Sequence, residues 1–242
     1  MKTTLKDILK MPILSKLSLI VFLLFFSGNI YSQFNDKKMG SWYMYAFNAE
    51  LTDSQWGFQG DIQHRNWNVS GDLEQLLLRG GVHYTPKNSK IKITAGYAYI
   101  QSSYYDSSEI QNHENRIYQE AKMPQKLGGR IYLGHRFRFE QRMVQNQDFR
   151  TRFRYAFSID VPLNNRLLIP KTWYISAYDE IFINGQKDIG NNKQVDLFDR
   201  NRVYFGVGYI ISQHLKSTFG VLRQNTSTWS KNQFVLSLFH HI

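Results

Sequence analysis

The chain has no cysteine among its 242 residues. That excludes disulfide staples, Cys-ligated zinc, iron–sulfur clusters and thiol nucleophiles. It also excludes a lipid anchor built on a processed cysteine. Proline is scarce, with 5 residues, and charged residues make up only 20%. That is not the composition of a disordered tail. Acidic residues are outnumbered, 19 against 30 Lys and Arg, for a formal charge of +11. Beyond residue 26 no run is long and apolar enough for a spanning helix, which needs about 20 residues. Aromatics are what the chain has in excess: 17 Phe, 15 Tyr and 5 Trp. The mean hydropathy is nevertheless mildly polar, at −0.44. Many rings in a polar average imply that apolar and polar residues alternate finely. The length fits one ordinary domain or one closed barrel of the larger all-β kind.

The first 32 residues read as a targeting segment. Lys2, Lys6, Lys10 and Lys16 stand against a single Asp7, and the apolar run Leu17 to Phe26 follows. Small residues near Ser32 then offer a cut site, which is the layout of a cleaved secretory signal peptide. The apolar run is too short to span a bilayer. The expected division is therefore a signal peptide over 1–32 and a β-barrel domain over 33–242. Removing the four lysines and Asp7 lowers the formal charge from +11 to +8, so the remainder stays basic.

That remainder alternates with a period of two, the signature of strands with two unlike faces. Leu76, Leu78, Val82 and Tyr84 share one face, against Arg79, Gly81 and His83. Ile91, Ile93, Ala95, Tyr97 and Tyr99 form another apolar face. Phe149, Phe153, Tyr155 and Phe157 oppose Arg150, Arg152 and Arg154, and Val203, Phe205, Val207 and Tyr209 oppose Arg202, Tyr204, Gly206 and Gly208. Turn residues separate the runs at Thr52–Ser54, Pro86–Ser89, Pro124–Lys126, Asn146–Asp148, Pro162–Asn165 and Asn225–Ser227. Longer connections span Tyr104–Glu114 and Asn184–Leu197. About eleven runs result, starting near Gly40, Gln55, Leu73, Lys90, Arg116, Gly129, Phe149, Thr172, Asp199, His214 and Lys231. Single-chain bacterial membrane barrels use even strand numbers. Twelve strands are therefore expected, with ten as the fallback, in an antiparallel up-and-down transmembrane β-barrel.

A soluble barrel and a membrane barrel predict opposite orientations. In the first the apolar face points in; in the second it points out and the lumen is polar. The polar faces here combine long Arg and Tyr with small Gly, which suits a packed interior. Trp42, Trp56, Trp67, Trp173 and Trp229 fall near strand ends, where interfacial girdles form. The export signal points the same way, to a bacterial outer membrane.

Five segments carry a more specific likeness: Gly71 to Arg79, His135 to Arg142, Arg152 to Tyr155, Asp179 to Asn184 and Phe198 to Arg202. In this order, with Arg138-x-Glu140-Gln141-Arg142 and Phe198-Asp199-x-Asn201-Arg202 the most informative pieces, the chain resembles the family filed as domain of unknown function 2490. The resemblance runs from about Trp42 to the end. It implies an exported outer-membrane β-barrel and brings no reaction with it.

Arg136, Arg138, Glu140 and Arg142 sit two apart, so they share a strand face, as do Arg150, Arg152 and Arg154 on the next strand. With Glu180, Asp199 and Arg202 they form a candidate lumen charge network. Such pairs tie strands together, because an unpaired buried charge costs several kcal/mol. The excess of Arg also suits an anion-favouring constriction. The leading reading is a structural or small-solute pore protein. The alternatives are a lipid-acting barrel enzyme, acyl hydrolase or transferase, and a soluble periplasmic ligand binder with arginines outside.

No Gly-x-Ser-x-Gly elbow and no His-Glu-x-x-His occur in the sequence. His64, His83, His135, His214, His240 and His241 read as strand-face or strand-end residues. The adjacent pair His113-Glu114 is a weak metal candidate. No catalytic, cofactor or metal site is assigned. Basicity alone would admit a nucleic acid, but the export signal and the strict alternation of arginines argue against that partner. Lipopolysaccharide is anionic, and Lys187, Lys193 and Arg116 are candidates to meet its phosphates at an outer rim.

Overall fold

A computed structural model describes residues 39–104 and 110–242. The predicted signal peptide and residues 105–109 of the predicted Tyr104–Glu114 connection lie outside the described residues, and the rest of that connection from Ile110 on belongs to a strand. Eleven strands follow one another: β1 (Gly40–Glu50), β2 (Trp56–Asn66), β3 (Leu73–Tyr84), β4 (Lys92–Ser103), β5 (Ile110–Leu127), β6 (Ile131–Val144), β7 (Arg150–Pro162), β8 (Trp173–Asn184), β9 (Phe198–Ile210), β10 (Leu215–Asn225) and β11 (Ser230–His241). They close into one barrel in chain order, with β11 returning to β1.

The strand count corrects the expectation of twelve, or ten. With an odd number of up-and-down strands the first and last run the same way, so the closing pair has to be parallel. It is: β1 and β11 pair in parallel from Gly40↔Gln233 to Asn48↔His241. Every other neighbouring pair is antiparallel. Closure demands only that each edge find backbone partners, and a parallel ladder supplies them at slightly lower stability per residue. The even-number rule is a regularity of known single-chain barrels. Backbone hydrogen bonding does not impose it.

The strands are staggered. The row of paired residues that leaves Glu50, the last residue of β1, passes Gly57, His83, Thr94, Glu120, Arg138, Arg154 and Phe182. It arrives at Arg200, near the start of β9. Such a climb is the tilt that a closed sheet requires. The connections divide between two ends. The end where β1 begins holds residues 67–72, 104, 145–149, 185–197 and 226–229; we call it the Gly40 end. The other holds 51–55, 85–91, 128–130, 163–172 and 211–214, and is the His241 end. The long 185–197 connection is fastened across its own rim. Asp148 N donates to Ile189 O at 2.8 Å, Asn191 Nδ2 to Asn146 O at 3.0 Å and Ser227 Oγ to Asp196 Oδ2 at 2.6 Å.

Most predicted turns sit where the chain reverses, and Asp53, Asn88 and Asn146 take the left-handed conformations that Asp and Asn tolerate there. Pro124–Lys126 is the exception, since β5 continues through it to Leu127. The reason is local. Pairing with β4 stops at Lys92↔Lys122, so beyond it β5 has a neighbour on one side only, β6. A proline is tolerated on such an edge. The reversal moves to Gly128, whose φ is positive.

Glycines on the inner face make room for rings. A Cβ at Gly96 would fall within the Tyr118 ring, and one at Gly208 within the Tyr174 ring. Tyr118 and Tyr174 are buried in consequence. Gly80 points outward and has no heavy atom within 4 Å of an added Cβ. Gly96→Val and Gly208→Val should therefore each destabilise the barrel by about 1–3 kcal/mol through overpacking. Gly80→Val should stay within about 0.5 kcal/mol of the parent. Urea midpoints of detergent-refolded protein, followed by circular dichroism, test the ranking.

Candidate functional site

Alternation along β5 to β9 sends a row of long charged side chains inward from each strand, and their mates stand on the adjacent strand. Glu120 is paired in register with Arg138, and Arg138 with Arg154; Glu140 is paired with Arg152, and Arg142 with Arg150. Eight buried arginines (65, 116, 138, 142, 150, 152, 154 and 202) face five buried carboxylates (Asp61, Glu114, Glu120, Glu140 and Glu180). That imbalance decides the character of the lumen.

Glu140 is the most heavily shared acid. Its Oε2 accepts from Arg152 Nε and Nη2 at 2.9 and 2.6 Å, and its Oε1 from Arg154 Nη1 at 2.6 Å. Glu114 accepts from Arg116 at 2.6 and 2.7 Å and also holds Arg142. Glu120 binds Arg138 and accepts from Gln59 Nε2 at 3.1 Å. Several links are chords that skip strands. Gln59 on β2 reaches Glu120 on β5. Arg136 on β6 reaches Glu180 on β8, Arg152 on β7 reaches Asp199 on β9 at 2.6 Å, and Lys231 on β11 reaches Glu74 on β3 at 2.6 Å. Such chords link strands two or three apart around the barrel, which neighbouring ladder bonds cannot do.

Two aromatic rings organise the remaining cations. The Phe182 ring, 1% exposed, carries the guanidinium carbons of Arg154 at 4.3 Å, Arg202 at 4.9 Å and Arg152 at 5.2 Å from its centroid. The Trp42 ring carries Arg65 at 3.7 Å and Arg202 at 5.1 Å. Desolvated guanidinium groups over ring faces gain about 2 kcal/mol or more. Around these groups lies a cavity of about 1020 Å³. Its lining runs from Arg150 and Gln147 near the Gly40 end to Lys90, Lys126 and Leu168 near the His241 end.

The ten residues singled out in the sequence come together in this lumen. Arg136, Arg138, Arg142, Arg150, Arg152, Arg154, Glu180 and Arg202 line the cavity, and Glu140 and Asp199 are bonded to arginines that do. Arg150 stands apart, since it makes no ion pair among the described residues and its buried Nε has no acceptor. Strict alternation would send Asp199 and Arg200 to opposite faces. A register shift between Phe182 and Ile183 disturbs the pairing there, and Arg200 bonds Asp199 at 3.1 and 3.2 Å while Asp199 holds Arg152. A bulge re-aims side chains in this way.

Other expectations are corrected. Arg116 is buried in the lumen against Glu114 and does not sit at a rim. Trp42 is 6% exposed and faces inward, so it belongs to no outer girdle. His113 and Glu114 lie in β5, not in a loop. His113 bonds Tyr99 at 2.8 Å while Glu114 points into the lumen, so adjacent residues on opposite faces cannot share a metal. Among the described residues no group of three His, Asp or Glu could hold one. Arg65, Trp42 and Glu74 were not singled out for the lumen. Arg65 lies two residues from Gln63 on one face, and that spacing was the available signal.

The outer face carries the large apolar residues. Ile62, Ile93, Phe137, Phe153, Phe205 and Phe219 are each about half exposed, from 49% to 57%.

A closed β-barrel with a charged lumen and an apolar outer wall is the class of protein that these observations define. The chain belongs to the family described as protein of unknown function (DUF2490), which matches residues 39–235. No curated protein and no solved structure matches it.

Removing one partner of a buried ion pair strands the other, at a cost of about 3–5 kcal/mol. Glu140→Gln should show that loss, because Arg152 and Arg154 both depend on it. Glu50→Gln, whose partner pair with Lys92 is solvent-exposed, should cost under about 1 kcal/mol. Urea unfolding of the two variants side by side tests the contrast.

Proposed function

We propose that the barrel spans a bacterial outer membrane and provides a narrow, anion-favouring path for small solutes. The observation that carries this reading is the inversion of its faces, with arginine and glutamate buried within and Phe, Ile and Val displayed without. Water would favour the opposite arrangement, whereas a bilayer favours this one. A soluble periplasmic binder would keep its arginines outside, and the barrel does not.

The rims support the same reading. At the His241 end Trp56 packs on Tyr84 at 4.9 Å and Trp173 on Tyr209 at 4.7 Å, the amphipathic rings that suit a membrane–water interface. Lys87, Lys90, Lys126, Arg130, Arg166 and Lys171 are exposed at that end. They suit the phosphates of an anionic lipid surface better than Lys187 and Lys193, which lie at the Gly40 end beside Asp188 and Asp196. Inside, the surplus of arginine raises the local concentration of anions and repels cations. The long charged side chains that project into the lumen restrict passage to small solutes. No reaction is assigned.

Two measurements test the reading. Expressed in a Gram-negative host, the protein should fractionate with the outer membrane and run as a heat-shifted band. In planar bilayers under a KCl gradient, its reversal potential should have the sign of chloride preference. Recovery in the soluble periplasm would overturn membrane insertion. An inserted barrel without conductance would overturn the pore and leave a structural role.

A further inference from the structure

We propose that the lumen contains a binding site for a small soluble oxyanion, a phosphate or a carboxylate, built from Arg65, Arg202 and Trp42. The proposal deepens the anion-favouring reading and rests on it for the source of the ion. Its geometry stands on three observations.

The first is a charge imbalance at one spot. Arg65 and Arg202 are buried, at 7% and 5% exposed, and neither has a carboxylate partner among the described residues. Arg65 donates only to the amide oxygens of Gln75 and Gln63, at 2.8 and 2.5 Å. Arg202 donates through Nε to Gln224 Oε1 at 2.7 Å, and its two Nη groups have no acceptor among the described residues. The carboxylates that stand nearest in the fold are committed elsewhere. Glu180 accepts from Arg136 and Arg154, and Glu74 from Lys231 and Gln233. Two neighbouring guanidinium charges held out of water without an anion are expensive.

The second is a set of donors with no acceptor. Trp42 Nε1 and Arg65 Nε are both buried and have no acceptor among the described residues. Buried polar groups are paired in the great majority of cases. These are on the same stacked unit, since the Arg65 guanidinium lies 3.7 Å from the Trp42 ring centroid and that of Arg202 5.1 Å. All three side chains present donors, and a ligand satisfying them must bring acceptors and negative charge. The forked guanidinium matches the oxygens of a carboxylate or phosphate.

The third is access. Trp42, Arg65 and Arg202 all line the lumen cavity. The barrel wall separates that cavity from the outer face, so the ion has to arrive from water and not as a lipid headgroup.

The test uses the purified barrel in detergent and does not depend on conductance. A silent bilayer therefore leaves this inference standing, and a failed test here leaves the pore standing. Urea midpoints are measured in sodium phosphate, in sodium acetate and in sodium chloride at matched ionic strength. A saturable rise in phosphate or acetate, absent in chloride, is expected. Response to one of the two assigns the site to that chemistry. Arg202→Gln and Arg65→Gln each remove an uncompensated charge together with a ring contact, effects of opposite sign on the midpoint in chloride, so the readout is the anion response relative to each variant's own chloride midpoint. Both should weaken that response at least tenfold. A purely structural arginine would leave the anion response unaltered, and that result overturns the proposal. So does an equal rise in chloride, or no rise with either oxyanion. If a glutamine variant does not refold, Arg202→Lys retains the charge and loses the fork. An anion response equal to the parent's in that variant also overturns the proposal.

Discussion

Buried guanidinium charge is the constraint on which this barrel depends. Closing a sheet around arginines is unfavourable unless each is met by a carboxylate, an amide oxygen or a ring face. The lumen uses all three. Glu114, Glu120, Glu140 and Glu180 take most of the arginines on β5, β6 and β7. Gln63, Gln75 and Gln224 take Arg65 and Arg202, and the Phe182 and Trp42 rings lie beneath several of the same groups. A β-barrel already satisfies its backbone by closure. What remains to be specified is the interior, and here ion pairs specify most of it in place of apolar packing.

The two walls of the lumen do different work. β5 to β9 project the long charged groups. On the adjacent strands β3 and β4, Gly81 and Gly96 lie under Tyr118 of β5, and Leu77, Ala98 and Ile100 form a small apolar cluster. A second cluster joins Trp42, Tyr204, Leu222 and Val235 across the closing seam. Large groups on one strand therefore meet small ones on its neighbours. This complementarity lets so many arginines share one interior. It also explains the paradox of composition, with many rings and a polar average: rings serve both as outer wall and as platforms for cations.

Much of this was legible in the sequence, and the limits are instructive. Period-two alternation located the strands to within a few residues, with β5 the exception. It also assigned faces correctly at Leu78, Val82, Phe153 and Phe205, because a strand has only two faces and the charged one could be recognised. Strand parity was not legible. Alternation says nothing about how the first and last strands meet, and a rule drawn from other barrels pointed away from eleven. Asp199 was placed in the lumen together with Arg202 although the two differ in parity along β9, and the register shift between Phe182 and Ile183 that accommodates both leaves no residue pattern. Trp42 was read by its distance from a strand end, though its parity with Met44 and Ala46 on β1 would have turned it inward. The chords were beyond reach altogether. Gln59–Glu120 and Glu74–Lys231 join strands that are not neighbours, and their contacts depend on the stagger of the closed barrel.

The parallel seam has a directional consequence. In an even barrel the chain enters and leaves at the same mouth. Here Gly40 opens β1 at one mouth and His241 closes β11 at the other, so the polypeptide itself passes from one side of the wall to the other. Anything joined ahead of β1 and anything joined behind β11 would emerge at different mouths of the barrel. An odd barrel is thereby a polar object in its own connectivity, able to present two attachments at opposite ends of one closed sheet.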